Sequence, residues 1–440
     1  MKKRFLTTAR IIILGFLSVV AVGTLLLCLP FASAGEPCSF MNCLFTATSA
    51  VCVTGLVVVN TATQWSFFGQ FVILVLIQIG GLGVVTVAMS LIKVTGRKIG
   101  LGQRSLMQES VAAPEIRGIV KFTHFIFIGT FLIELIGAFV MSPVFIADFG
   151  FFKGLWMSIF HSVSAFCNAG FDILGTEQPF VSLTGYAYNP VINIAIMLLI
   201  VVGGLGFLTW NDIKTHGVHL KRYRMQSKVI LSTTALLIII PAAYYFAFEF
   251  DYLPFGKRLL VSLFQAVTPR TAGFNTVNLN EMSEAAHLTD IFLMLIGGSP
   301  GSTAGGMKTT TFAVLVLSSA AVFRKREDTC VFRRRISHNA VRQAAAIALS
   351  YFMLFFVGGI CVYLAEGKGL PLLSCLYESA SAIGTVGLTL GITPSLGVFS
   401  KVVLMTLMFV GRVGALTMIY ATVSTANNAA RLPEDKLSVG

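Results

Sequence analysis

Four short stretches carry residue types and spacings from which a cation site could be built. They are "FTATSAVCVTGLVVV" at 45–59, "FHSVSAFCNAGFDIL" at 160–174, "FQAVTPRTAGFNTV" at 264–277 and "YESASAIGTVGLTLG" at 377–391. Each is apolar enough to lie in a bilayer, yet each holds hydroxyl side chains and a central glycine. Their glycines, Gly55, Gly170, Gly273 and Gly387, are 115, 103 and 114 residues apart. Non-helical backbone at membrane depth is tolerated only where its polar groups face protein or a water-filled cavity. Four such bends converging on one axis would stack their carbonyl oxygens in rings, and rings of backbone carbonyls replace the hydration shell of potassium. The oxygens expected to do this belong to Val53-Thr54-Gly55, Asn168-Ala169-Gly170, Thr271-Ala272-Gly273 and Thr385-Val386-Gly387. Glycine permits the backbone angles that turn carbonyls toward an axis, and the Ser and Thr hydroxyls can satisfy nearby backbone groups.

The elements that must hold these loops follow from composition. The chain has 440 residues, 55% of them hydrophobic and only 12% charged, with 37 Phe. Soluble domains carry roughly 25% charged residues. Long apolar runs recur and strand-like alternation is absent, so the expected class is an all-α polytopic membrane protein. Each glycine stretch sits in the same frame: a long apolar helix (11–30, 119–142, 229–250, 344–365), a segment too short to span (38–52, 153–167, 257–268, 370–383), then a second long helix (67–92, 189–212, 288–320, 398–424). This predicts eight spanning helices and four re-entrant half-helices around one central pore. The repeated units are expected at 1–112, 113–222, 223–336 and 337–440.

The net charge of +13 does not indicate nucleic acid. Lys2, Lys3, Arg4, Arg10 and the basic segments 93–121, 213–228 and 321–342 flank apolar runs on alternate sides. Only Lys153, Lys257, Arg258, Lys368 and Lys401 fall in the opposite loops. This positive-inside asymmetry puts both termini in the cytoplasm and makes anionic lipid, or an acidic partner surface, the natural counterpart of the basic loops. The opening "MKKR", apolar run and "ASAGE" resemble a secretory signal, but the run from Ile11 to Pro30 is long enough to span, and the repeat requires it. Of the eight cysteines, Cys38 and Cys43 share an outer loop and could pair; metal-like spacing is absent.

One return helix is interrupted. "LIGGSPGSTAGGMKTTTF" puts Gly297, Gly298, Pro300, Gly301, Gly305 and Gly306 inside an apolar segment, and glycine and proline at this density break a helix. The break falls on the cytoplasmic side of Gly273. Its counterparts, Gly80, Gly203 and Gly411, are expected to stay helical. "GSTAGGMKTT" is not a phosphate-binding loop, because Met307 separates Gly306 from Lys308 and no strand precedes it. "GGLG" at 80–83 and 203–206 reads as close helix packing rather than a dinucleotide fingerprint. Arg412 lies mid-segment in "MFVGRVGALT", where a charge costs at least ~2.5 kcal/mol, so it needs partners, and the carbonyls of 297–306 are the obvious ones. Lys308 lies either at the lower edge of this feature or at the interface. Arg270 could pair with Glu378 or with outer-loop carbonyls.

Taken together, "LFTATSAVCVTGL", "IQIGGLG", "HSVSAFCNAGF", "FQAVTPRTAGFN", "GSTAGGMKTTTF", "GTVGLT", "GRVGALT" and the tail "LPEDKLSVG" resemble the Trk/Ktr/HKT superfamily of cation transporters, and within it the membrane subunits of bacterial Ktr-type potassium uptake systems. The resemblance covers nearly the whole chain. It implies potassium as the transported ion, since glycine stands in all four loops where serine at Gly55 would be associated with sodium. Sodium stays open as a second ion. The resemblance also implies an intramembrane gate formed by Gly297, Gly298, Gly301, Gly305, Gly306, Lys308 and Arg412, and a location in the bacterial inner membrane. It further implies a homodimer resting on a cytosolic ring of nucleotide-binding, KtrA-like regulatory subunits, which a separate polypeptide would supply. The alternative, an alternating-access cation symporter, predicts inverted repeats and midplane carboxylates, whereas acidic residues are sparse in the expected spans, Glu134 excepted. An enzyme is not expected: the six His form no ligand pattern beyond His216/His219, and no nucleophile–base set is present.

Overall fold

The computed structural model describes residues 7–94, 100–111, 115–176, 179–415 and 417–418. Lys2, Lys3, Arg4 and the tail "LPEDKLSVG" lie outside the described residues. The chain is mostly helical. Its helices are α1 (Thr8–Leu27), α2 (Phe40–Val51), α3 (Thr61–Gln64), α4 (Phe67–Leu82), α5 (Val84–Val94), α6 (Leu101–Ser110), α7 (Ile119–Phe149), α8 (Phe151–Phe166) and α9 (Pro190–Gly204). They continue as α10 (Phe207–His216), α11 (Met225–Tyr244), α12 (Phe255–Val267), α13 (Glu284–Leu295), α14 (Thr309–Phe323), α15 (His338–Glu366), α16 (Leu372–Gly384) and α17 (Val398–Val413). A hairpin of β1 (Cys330–Val331) and β2 (Arg334–Arg335) joins α14 to α15.

Among the described residues four helices, α1, α7, α15 and α11 with its π-helical extension to Glu249, are long and apolar enough to cross a membrane. The two bent pairs α4/α5 and α9/α10 raise the number to six if each is one span. Start signals are chemical: Ser39, Ser66, Ser283 and Ser337 accept a first-turn N–H from α2, α4, α13 and α15, and Asn189 does so for α9 with Pro190 at its first position. Such caps satisfy donors the helix cannot. Leu135, Phe139 and Ile240 are among the large apolar side chains left exposed, as expected of surfaces that face lipid. Phe160, Phe166, Phe171 and Phe264 fill one core; Tyr245, Tyr377, Phe250 and Phe355 belong to a second.

The expected helices need correction on the return segments. Only 288–320 was expected to break, yet 67–92 bends by 98° between α4 and α5, and 189–212 bends by 99° between α9 and α10. The fourth segment, expected to run to 424, leaves the helix at Gly414. Gly83, Gly206 and Gly414 adopt φ of +84°, +88° and +92°, angles open to glycine and costly for other residues. A single glycine sufficed, without the proline and glycine density of the third segment. The packing reading of "GGLG" fits: a Cβ on Gly80, Gly203 or Gly411 would run into the carbonyl oxygen of Val51, Phe166 or Ile383, at the end of the preceding short helix. Close approach of the return helix to the half-helix is therefore why these positions are glycine.

Candidate functional site

The four short helices α2, α8, α12 and α16 each deliver their chain into a glycine-centred loop of the same conformation. Two residues before each glycine the backbone is left-handed: Val53 has φ +55°, Asn168 +59°, Thr271 +69° and Thr385 +52°. The glycines follow at +88°, +65°, +82° and +94°, with Thr54, Ala169, Ala272 and Val386 outside the positive-φ set between them. A strand alternates its carbonyls between two sides; alternation in the sign of φ works against this and aims them together. Val53, Thr271 and Thr385 are β-branched, a type rarely found left-handed. Such strain costs about 1–3 kcal/mol per residue and persists only where the surroundings impose it.

Hydrogen bonds impose it. The N–H of Thr54 donates to the Ser49 carbonyl (2.8 Å), that of Ala169 to Ser164 (2.7 Å), that of Ala272 to Thr268 (3.0 Å) and that of Val386 to Ser381 (2.8 Å). Hydroxyls of the same four residues complete the tether. Ser49 and Ser381 accept from the N–H of Gly55 and Gly387 (3.1 and 3.0 Å), while Ser164 and Thr268 donate to the carbonyls of Phe171 and Phe274 (2.7 and 2.6 Å). The loop donors thus point back into their own helices. Among the described residues the carbonyls of Thr54, Ala169, Ala272 and Val386 accept no hydrogen bond, so these buried oxygens are left free.

The loops close on one another. A Cβ on Gly55 would meet the Ala169 carbonyl oxygen, and one on Gly170 would lie 2.5 Å from that of Ala272. One on Gly273 would meet that of Val386, and one on Gly387 that of Thr54. The order is first, second, third, fourth and back to first: a cycle of four loops with one unpaired carbonyl beside each glycine.

Residues 296–308 lie against this cycle. The segment leaves α13 and enters α14, its neck held by Gly297 N–H to the Met307 carbonyl (2.8 Å) and Thr309 N–H to that of Gly298 (3.0 Å). The Phe207 N–H, at the start of α10, donates to the Gly301 carbonyl (2.7 Å), and Gly306 N–H donates to that of Gly411 (3.2 Å). Thr303 donates its hydroxyl to the Phe166 carbonyl (2.9 Å), and a Cβ on Gly305 would lie 2.9 Å from Thr385 Cγ2. All five predicted glycines of this segment are therefore in contact-making positions, and Gly305 touches a residue of the cycle.

Arg412 meets part of its expectation. It donates to the Thr303 carbonyl, inside the segment, but also to the carbonyls of Gly80 and, at 3.0 Å, Gly81 at the end of α4. Its guanidinium joins three parts of the chain remote in sequence. Lys308 is partly buried and turns back on its own segment, donating from Nζ to the carbonyls of Ala304 (2.8 Å) and Gly305 (3.3 Å). Arg270 does not pair with Glu378. Among the described residues its Nε has no partner, and Glu378 instead accepts from Thr389 and, at 2.8 Å, Thr393. Cys38 and Cys43 are free thiols, and no metal-binding group of His, Cys, Asp or Glu occurs among the described residues.

Sequence reasoning missed the Gly80–Gly81 carbonyls as partners of Arg412. It also missed the side chain of Asn168, whose amide donates to Thr271 Oγ1 (3.0 Å) and so links the second loop to the third. Asn is the one residue at its position that tolerates the left-handed region, a signal that could have marked it.

Comparisons with known proteins agree with this architecture. The cation transport protein family of TrkH matches residues 3–229 and 225–431. The chain is 40% identical to the "Potassium/sodium uptake protein NtpJ" of Enterococcus hirae, over 100% of this chain and 99% of that protein. It is 37% identical to the "Ktr system potassium uptake protein B" of Bacillus subtilis, over 99% and 97%. Among solved structures, the potassium transporter TrkH from Vibrio parahaemolyticus superposes with a TM-score of 0.75 at 20% identity, covering 96% of this chain and 86% of that one. A family match over nearly the full length, with relatives of this identity, makes the chain a multi-pass membrane protein of the TrkH cation transport family and a transporter rather than an enzyme.

Proposed function

We propose that the protein is a potassium-selective uptake pore whose filter is the four-loop cycle. The observation that carries this reading is the cycle itself: four glycines, each abutting the free carbonyl of the next loop. The filter residues are then Val53-Thr54-Gly55, Asn168-Ala169-Gly170, Thr271-Ala272-Gly273 and Thr385-Val386-Gly387. Four units, 1–112, 113–222, 223–336 and 337–440, each supply one loop. The segment with Gly297, Gly298, Gly301, Gly305 and Gly306, together with Lys308 and Arg412, acts as a gate beneath the filter. Its contact with Thr385 and the cationic side chains of Lys308 and, from α17, Arg412 that bond its carbonyls support that role. The membrane potential drives uptake, at ~2.3 kcal/mol per charge per 100 mV.

Relatives named as potassium and potassium/sodium uptake proteins support potassium as the main ion and keep sodium as a second ion to be tested. The Ktr system name of one relative supports a multi-component system; the proposal extends this to a homodimer with a cytosolic KtrA-like nucleotide-binding ring in the bacterial inner membrane, with both termini cytoplasmic by the positive-inside charge pattern. Purified protein in liposomes with an inside-negative potential tests the reading. Potassium flux should exceed sodium flux by more than about tenfold, a difference of about 1.4 kcal/mol. Equal fluxes would overturn the filter, and strict dependence of potassium flux on a sodium gradient would favour the symporter.

A further inference from the structure

A cavity of about 700 Å³ opens where α7, α10 and the start of α11 meet. It lies between two of the basic connecting segments, 93–121 and 213–228. Among the described residues its rim carries Arg117, Lys121, Lys214 and Arg224 against a single carboxylate, Glu115. Asp212, buried beneath, engages Arg224 (3.5 Å), so two positive charges remain in excess. The lining also includes apolar side chains, Phe122 and Phe125 among them, and Lys214 lies over the Phe125 ring at 4.7 Å. Gly118 precedes α7 with no side-chain cap, which leaves the positive end of a long helix dipole at the same place.

We infer that this cavity binds the phosphate headgroup of an anionic phospholipid of the leaflet next to the basic loops. Cationic rim and apolar wall together match a lipid better than a free anion: the cations meet the phosphodiester while an acyl chain follows Phe122 and Phe125 along α7. Basic pockets between spanning helices are sites of this chemistry. An acidic protein surface would use the rim but not the wall. The 99° bend before α10 turns that helix away from the direction of α9, and Phe207 at its start holds Gly301. A lipid bridging Lys121 and Lys214 therefore braces α7 against the helix on which the proposed gate rests. The bracing depends on the gate reading; the binding does not.

Native mass spectrometry of the detergent-purified protein, titrated with phosphatidylglycerol or phosphatidylcholine, tests binding. Wild type should retain phosphatidylglycerol several-fold better than phosphatidylcholine. The Lys121→Gln/Lys214→Gln variant should lose that preference, while Arg333→Gln/Arg334→Gln, which removes two exposed charges from the β1–β2 hairpin, outside the cavity lining, should keep it. Matching elution profiles establish that the variants are folded. Retention unchanged in Lys121→Gln/Lys214→Gln, or no preference in wild type, overturns the site; displacement of the lipid by millimolar inorganic phosphate reassigns it to a free anion and overturns the lipid. In liposomes, potassium flux per folded molecule should vary with phosphatidylglycerol content in wild type and not in the Lys121→Gln/Lys214→Gln variant. Equal variation in both, with binding lost, overturns the bracing alone.

Discussion

Gly55 and Arg412 are the two positions where one substitution separates the proposed roles most cleanly. At Gly55 a side chain meets both a φ of +88° and the Ala169 carbonyl oxygen. Gly55→Ser should therefore displace the carbonyl that the second loop presents, at a cost of about 1–3 kcal/mol, and lower the potassium/sodium flux ratio roughly tenfold. Paired flux measurements in liposomes check this, and an unchanged ratio would remove Gly55 from the filter. At Arg412, truncation to Ala frees three carbonyls and removes a positive charge. With that charge gone from beside the proposed ion path, potassium flux per folded molecule should rise more than about tenfold, a difference of about 1.4 kcal/mol. If Arg412 only ties α17 to its neighbours, that flux will instead fall, and the gate assignment falls with it.

The 296–308 segment and the glycine faces of the return helices set the predictions for elements. Deleting Gly301–Gly305 removes the acceptor for Phe207 and the contact with Thr385, while the neck bonds at Gly297 and Gly298 remain. Flux through protein that still elutes as a folded species should increase; a decrease would make the segment part of the conducting wall. Helix packing is tested by Gly203→Ala. Its Cβ would meet the Phe166 carbonyl oxygen and lie 2.8 Å from Thr303 Oγ1, so α9 must retreat from α8, an overpacking cost of about 1–3 kcal/mol. The melting temperature in detergent should drop. Gly102→Ala is the contrast: it sits in α6 with nothing within 4 Å of an added Cβ, and the gain in helix propensity of about 0.5–1 kcal/mol should leave the melting temperature equal or higher.

Across the whole molecule, orientation can be read with one thiol. Of the eight cysteines, Cys330, in the hairpin between α14 and α15, is the only exposed one. Both termini in the cytoplasm require this hairpin to be cytoplasmic as well. A membrane-impermeant maleimide should label Cys330 in inside-out vesicles and not in intact cells, and Cys330→Ser should abolish the signal. Labelling from outside would reverse the topology and move the lipid site to the other leaflet. Buried links between distant helices bear on how far a local change spreads. Asp290 on α13 accepts from Tyr245 (2.7 Å), from Gln265 on α12 (3.0 Å) and from Tyr377 on α16 (3.1 Å), joining two of the short helices that carry the proposed filter.

The sequence by itself determined the membrane class, the short helices and the glycines at their ends. Those features follow from local composition and spacing: an apolar run is either long enough to span or it is not, and glycine tolerates angles that other residues resist. It also marked 297–306 as a break and Arg412 as a charge in need of carbonyls. The bends at Gly83 and Gly206 were not legible, because one glycine in an apolar run is compatible with a continuous helix until the packing of neighbours decides. The left-handed backbone at Val53, Thr271 and Thr385 ran against residue preference, since β-branched side chains argue for an extended chain there. Tethers to Ser49, Thr268 and Ser381, each spanning six residues of the chain, hold it, and the neighbouring loops packed against each glycine complete what residue preference alone does not favour. The partners of Arg412 at Gly80 and Gly81 lie more than three hundred residues away in the chain. Only the packing of four remote segments around the loop cycle, which no local pattern encodes, could bring those carbonyls within its reach.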